Sequence, residues 1–215
     1  MKLSSIVGIA LTANDNVKLS QFLKAFEKKM PDSCAILIFP VGIKTDDADH
    51  DLLAKLYSAA TLPVEIVQHN TLLAAGRVYV IPLAEHFILH HQAFQLASVT
   101  EENSTAASNF WQSLAALEMN GIAALAMNAE PTTVQHISSI SEAGGITLLC
   151  QPDESILSAE QSNDYRTIFN YIQSPADLAH TIANFLQLFT LPDNQSGTNG
   201  SIDHSLVEEE AKERR

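Results

Sequence analysis

Short apolar runs alternate along this chain with stretches in which apolar residues recur at helical spacing, and the alternation predicts a parallel sheet covered by helices on both faces. Ile6 to Leu11 reads as a buried strand, and Val17, Leu19, Phe22, Leu23 and Phe26 then mark one face of a helix. Ala35 to Phe39 is a second strand and Leu52 to Ala60 a second helix, whose start is favoured by Asp46, Asp47 and Asp49 ahead of it. From residue 63 to residue 96 the pattern changes. Four short runs, VEIV, RVYVI, HFILH and AFQLA, follow one another without a helical stretch, which predicts a small antiparallel excursion or edge hairpins.

Helix and strand then resume. Phe110, Trp111, Leu114 and Leu117 line one helix, Ile122 to Met127 forms a strand, and Val134, Ile137 and Ile140 line a further helix. That helix ends at Gly144-Gly145, where glycine supplies the left-handed turn into the strand ITLLC. Ile168 to Ile172 is a short strand and Asp177 to Leu188 a last amphipathic helix. The fold class is therefore α/β, a three-layer α/β/α domain with a mainly parallel sheet. Residues 1–190 form that domain, and 191–215 read as a disordered, charged tail with too little apolar surface to offset the entropy of ordering.

Composition narrows the partners. Among 215 residues, 25 acidic side chains against 12 basic ones give a formal charge of −13, so nucleic acid is repelled. Lys18, Lys24, Lys28 and Lys29 lie on or near one predicted helix and read as a solvated face. No apolar run reaches the roughly twenty residues of a membrane span, so membrane insertion is not expected. Met1-Lys2 followed by Ile6 to Ala13 imitates a minimal signal peptide, yet the same residues make a natural first strand, and that reading is preferred. Cys34 and Cys150 sit at the edges of apolar runs and read as buried free thiols of a cytoplasmic protein.

Familiar chemical signatures are absent: no G-x-S-x-G, no glycine-rich phosphate loop and no H-E-x-x-H. No cofactor is expected. His86, His90 and His91 form a histidine cluster, but no carboxylate or cysteine completes a ligand set at suitable spacing, so no metal is expected either. His50, in Asp47-Ala48-Asp49-His50-Asp51, reads as part of an acidic helix start. Asn14-Asp15-Asn16 reads as the cap of the first helix, with Asp15 as an acid catalyst the sharper alternative.

One set of residues points to a family. Leu62, Pro63 and Val64, then Gly76, Val78, Tyr79 and Pro82, then His86 and Phe87 follow a pattern that resembles the catalytic domain of chemotaxis receptor methylesterases, the CheB family. Ala143-Gly144-Gly145-Ile146-Thr147 with Gln151 and Ser155 resembles that family's "A-G-G-x-T" unit, and Tyr171-Ile172 with Leu178 and Ile182 follows its last strand and helix. The resemblance extends over residues 5–189.

It implies hydrolysis of methyl esters on receptor glutamates by a serine, a histidine and an aspartate at the carboxyl ends of strands. This chain departs from that pattern. Ala10-Leu11-Thr12-Ala13-Asn14-Asp15 stands against "G-A-S-x-G-G", placing Thr12 at the serine position and removing both glycines. Val41 stands at the histidine position, and Leu125-Ala126-Met127-Asn128-Ala129-Glu130-Pro131 stands against "T-G-M-G-x-D-G". Glu130 thus falls at the aspartate position, and Met127 at the residue whose backbone N–H lies near the oxyanion. Loss of the base alone costs on the order of 10⁴ to 10⁶ in turnover.

The resemblance therefore implies a catalytically silent relative that binds protein partners, chemoreceptors or other chemosensory signalling proteins, in the cytoplasm of a bacterium. The alternative is a residual protein-glutamate methylesterase using Thr12 and Glu130. Because Met1 stands close to the first strand, no receiver domain and no phosphorylation control in cis are expected.

Overall fold

Seven consecutive residues of β1 (Ser5–Leu11) and seven of β2 (Cys34–Pro40) are buried, which is the mark of strands covered on both faces. A computed structural model describes residues 3–41, 46–82, 86–97, 106–117, 121–128, 134, 136–150 and 165–189, with Ala13 and residues 46–52 described by backbone alone. Around the central pair lie β3 (Val64–Ile66), β4 (Val78–Val80), β7 (Gly121–Ala126), β8 (Ile146–Cys150) and β9 (Tyr171–Gln173). All are parallel, in the order β3-β4-β2-β1-β7-β8-β9. A separate antiparallel hairpin joins β5 (Phe87–His90) to β6 (Ala93–Leu96). The α/β class read from the sequence is thus observed.

One part of that reading is corrected in detail. The antiparallel excursion expected over residues 63–96 is confined to β5 and β6, whereas VEI and VYV join the main sheet as parallel strands. The chain from β3 to β4 crosses over without a helix, through residues 67–77. Tyr79 holds that crossover in place. Its hydroxyl accepts the Ala74 N–H at 2.8 Å and donates to the Leu72 carbonyl at 3.2 Å. Gly76, at φ 73°, makes the left-handed turn into β4 that a side chain would strain.

Helices cover the two faces unequally. α1 (Asn16–Phe26), α2 (Asp46–Ala59) and α5 (Pro175–Gln187) pack on one face, burying Leu19, Phe22, Leu23, Phe26, Leu56, Leu178 and Ile182 against β1, β2, β7 and β8. α3 (Ala106–Ala115), α4 (Ser138–Glu142) and the hairpin cover the other, with Trp111, Phe110, Phe39, Phe87 and Phe94 at its centre. Val17, assigned from spacing to the apolar face of α1, is instead 70% exposed. At 100° per residue it points to the opposite side of α1 from Leu19, Phe22, Leu23 and Phe26, which face the sheet.

Gly144 takes φ 86° after α4, as the glycine pair predicts, and the chain enters β8 at once. The strand expected over 168–172 begins later, at Tyr171, because residues 165–168 are helical. Thr147 joins the two pieces: its hydroxyl donates to the Ile168 carbonyl at 2.7 Å and its N–H to Asn170 Oδ1 at 2.8 Å. Among the described residues, no helix is long and apolar enough to cross a membrane. The expected tail, 191–215, lies outside the described residues.

Candidate functional site

The sheet order reverses direction at β1. From it the chain builds outward first through β2 toward β4 and later through β7 toward β8 and β9. α1, which follows β1, lies on one face, and α4, which follows β7, lies on the other. Such a reversal puts the ligand crevice of an open parallel sheet beyond the carboxyl ends of β1 and β7. Thr12 follows β1, Met127 and Asn128 follow β7, and Val41 follows the adjacent β2.

Thr12 leaves β1 in extended conformation and enters a single 3₁₀ turn, Ala13–Asp15. The Asp15 N–H returns to the Thr12 carbonyl at 3.1 Å, and the Asp15 carboxylate folds back over the turn. Its Oδ2 accepts the Thr12 N–H at 2.8 Å and the Thr12 hydroxyl at 2.9 Å. Such reciprocal bonding closes a helix start that lacks glycine. The cap expected from Asn14-Asp15-Asn16 is therefore made by Asp15, directed back to Thr12 rather than forward into α1. Both residues are buried, at 9% and 5% exposure.

Asn128 enters from the far side of the crevice. Its Nδ2 donates to Thr12 Oγ1 at 3.2 Å and to Asp15 Oδ2. The Thr12 hydroxyl thus donates its proton to a carboxylate and accepts from a carboxamide. Sequence reasoning did not single out Asn128; the available signal was a polar residue directly after the apolar run Ile122 to Met127.

The remaining positions are apolar or committed. Val41 lies in the core at the exit of β2, where its N–H donates to the Leu11 carbonyl at 2.7 Å. Its side chain offers no proton acceptor. The Met127 N–H, considered for an oxyanion, donates to the Ala10 carbonyl at 2.9 Å, and its side chain is fully buried. Glu130 lies outside the described residues, as does the side chain of His50. Among the described residues, then, a hydroxyl and a carboxylate meet, and no imidazole joins them.

The other candidates lie elsewhere. His90 and His91 are exposed at the hairpin tip with ring centroids 4.1 Å apart, and His86 stands at the hairpin's open end. Among the described residues no three histidine, cysteine, aspartate or glutamate side chains are grouped to hold a metal ion. Cys34 and Cys150 form no disulfide and are buried on the α1 face of the sheet. Burial pushes the Cys34 thiol up to about 12, far from the reactive thiolate range.

Comparisons with known proteins agree with this architecture. A family model described as CheB methylesterase matches residues 7–182. The crystal structure of the Thermotoga maritima CheB methylesterase catalytic domain superposes with a TM-score of 0.65 at 16% identity, covering 84% of this chain and 98% of that one. At that identity the likeness is one of fold. No curated protein sequence matches the chain.

Proposed function

The chain belongs to the CheB methylesterase family, and from that premise we propose that it is a catalytically silent member serving as a binding component of a bacterial chemosensory or related signalling pathway. One observation supports this most directly. The hydroxyl at the end of β1 is engaged by Asp15 and Asn128, while the neighbouring strand end carries Val41. An esterase of the serine–histidine–aspartate type needs a base that takes the nucleophile's proton and later returns it to the leaving group. Carboxylates are weaker bases than imidazole at neutral pH, so Asp15 holds the proton donor without replacing the missing histidine.

The acidic balance of the chain is compatible with protein partners and disfavours nucleic acid. A cytoplasmic location, next to the signalling proteins proposed as partners, completes the reading. The site itself requires no cofactor or metal for this role.

Methanol release from methylated chemoreceptor is the test, with Thr12→Ala as the control. The expected result is no release above the control. Release abolished by Thr12→Ala would establish the second reading, a residual methylesterase, which the 2.9 Å contact between Thr12 Oγ1 and Asp15 Oδ2 favours. Capture of the partner from the source cell, with chemosensory proteins absent from the captured set, would remove the pathway assignment while leaving the catalytic one standing.

A further inference from the structure

Asn128 does more than decorate the end of β7. The crevice between the β1 and β7 connections is bridged from within by its carboxamide, which contacts Thr12 Oγ1 at 3.2 Å and Asp15 Oδ2 at once. We infer that Asn128 is an internal plug, a side chain that occupies the approach to Thr12 and keeps ester or amide groups out of the crevice. This rests on the silent reading of the site and supplies a physical means for it, independent of the lost base.

The geometry explains why the block is effective. An attacking oxygen must bring the carbonyl carbon of its substrate to about 3–3.5 Å. The Asn128 nitrogen already stands at that distance. A hydroxyl has one proton and two lone pairs, and here the proton goes to Asp15 while one lone pair receives Asn128. Swinging Asn128 aside breaks its bonds to Thr12 and Asp15, the second of them to a carboxylate and therefore charge-assisted. Among the described residues it also leaves Asp15 Oδ2 with donors from Thr12 alone.

The sequence pattern points the same way. Where "T-G-M-G-x-D-G" has a glycine after its methionine, this chain has Asn128 after Met127. A position with no side chain has acquired one that reaches across the crevice. Thr12 at the serine position and Val41 at the histidine position are changes of chemistry, whereas Asn128 is a change of access.

Access is measured without turnover. In Thr12→Cys, an introduced thiol replaces the hydroxyl, and its alkylation by iodoacetamide reports how readily a small electrophile enters. Cys34 and Cys150, both fully buried, serve as internal controls that react only if the protein opens. Rates are compared at their high-pH limits, so that a changed thiol pKa does not imitate changed access. Adding Asn128→Gly is expected to raise the limiting rate of the introduced thiol by about tenfold, with Cys34 and Cys150 unchanged. An unchanged rate overturns the plug. Should Asn128→Gly expose the native thiols, Asn128→Ala opens nearly the same space, and the same two outcomes decide. Methanol release by the unmodified chain would overturn the silent reading on its own, separately from the alkylation result.

Discussion

Thr12 donates both its backbone N–H and its hydroxyl to a single oxygen of Asp15, at 2.8 and 2.9 Å. With Asn128 added, that oxygen is the acceptor on which the β1–α1 turn and the end of β7 converge. Replacing Asp15 by alanine removes the acceptor that three donors share and is expected to cost about 2–3 kcal/mol. Asp15→Asn keeps an acceptor oxygen and is expected to lose about half as much. Urea denaturation of the two variants checks the ranking. Equal losses would show that the side chain's packing and not its acceptor oxygen matters.

Trp111 lies against the backbone of β1 at Gly8, where an added Cβ would meet the indole at 2.7 Å. Neither partner has room to yield, since Trp111 is packed against the stacked pair Phe39 and Phe110. Gly8→Ala is expected to destabilise by about 1–3 kcal/mol through overpacking. The fluorescence of Trp111, the only tryptophan, should shift in the folded state of the variant.

Removing the Tyr79 hydroxyl separates fold from chemistry. Tyr79→Phe leaves the Ala74 N–H and the Leu72 carbonyl without their protein partner. A loss of about 1–2 kcal/mol is expected, together with faster amide exchange in residues 67–77. In the Thr12→Cys background, alkylation of the introduced thiol is expected to stay unchanged.

Alkaline stability follows from two buried acids. Burial raises Cys34 from 9.0 to about 12 and also raises Tyr79 above its ordinary 10.0. In the folded protein each keeps its proton at pH values where the unfolded chain releases it. Stability from Cys34 is therefore complete below about pH 9 and is lost as pH rises toward about 12, by at most about 1.4 kcal/mol per pH unit. Thermal denaturation from about pH 8 to about pH 10.5 should show this fall. Cys34→Ala should flatten its first part.

The two-residue loop His91-Gln92 has φ of 48° and 65°, the type I′ turn that suits the twist of a hairpin but favours Asn-Gly. His91→Asn with Gln92→Gly is expected to stabilise the protein by about 1 kcal/mol. A lower melting temperature would mean that the two side chains contribute contacts that outweigh the backbone strain.

The core strands were legible because burial on both faces leaves continuous apolar runs, as in Ile6 to Leu11 and Ala35 to Phe39. The helices were legible from spacing, and Val17 was misassigned because it stands two residues before Leu19, half a turn around α1 from the buried face. The parallel pairing of β3 with β4 was not legible. A crossover normally announces itself by a helical pattern, and here the connection is irregular, held by Tyr79 instead.

By itself the sequence determined the element types, the α/β class and the likeness to the methylesterases, because each of these depends on local periodicity or on residues close together in the chain. It also set Thr12 and Val41 directly after apolar strand runs. Only the tertiary structure decided what surrounds Thr12. Thr12 and Asn128 are 116 positions apart and meet because β1 and β7 are neighbours in the sheet. Lateral strand order arises from the packing of distant segments, and so a contact made across it leaves no local trace in the sequence.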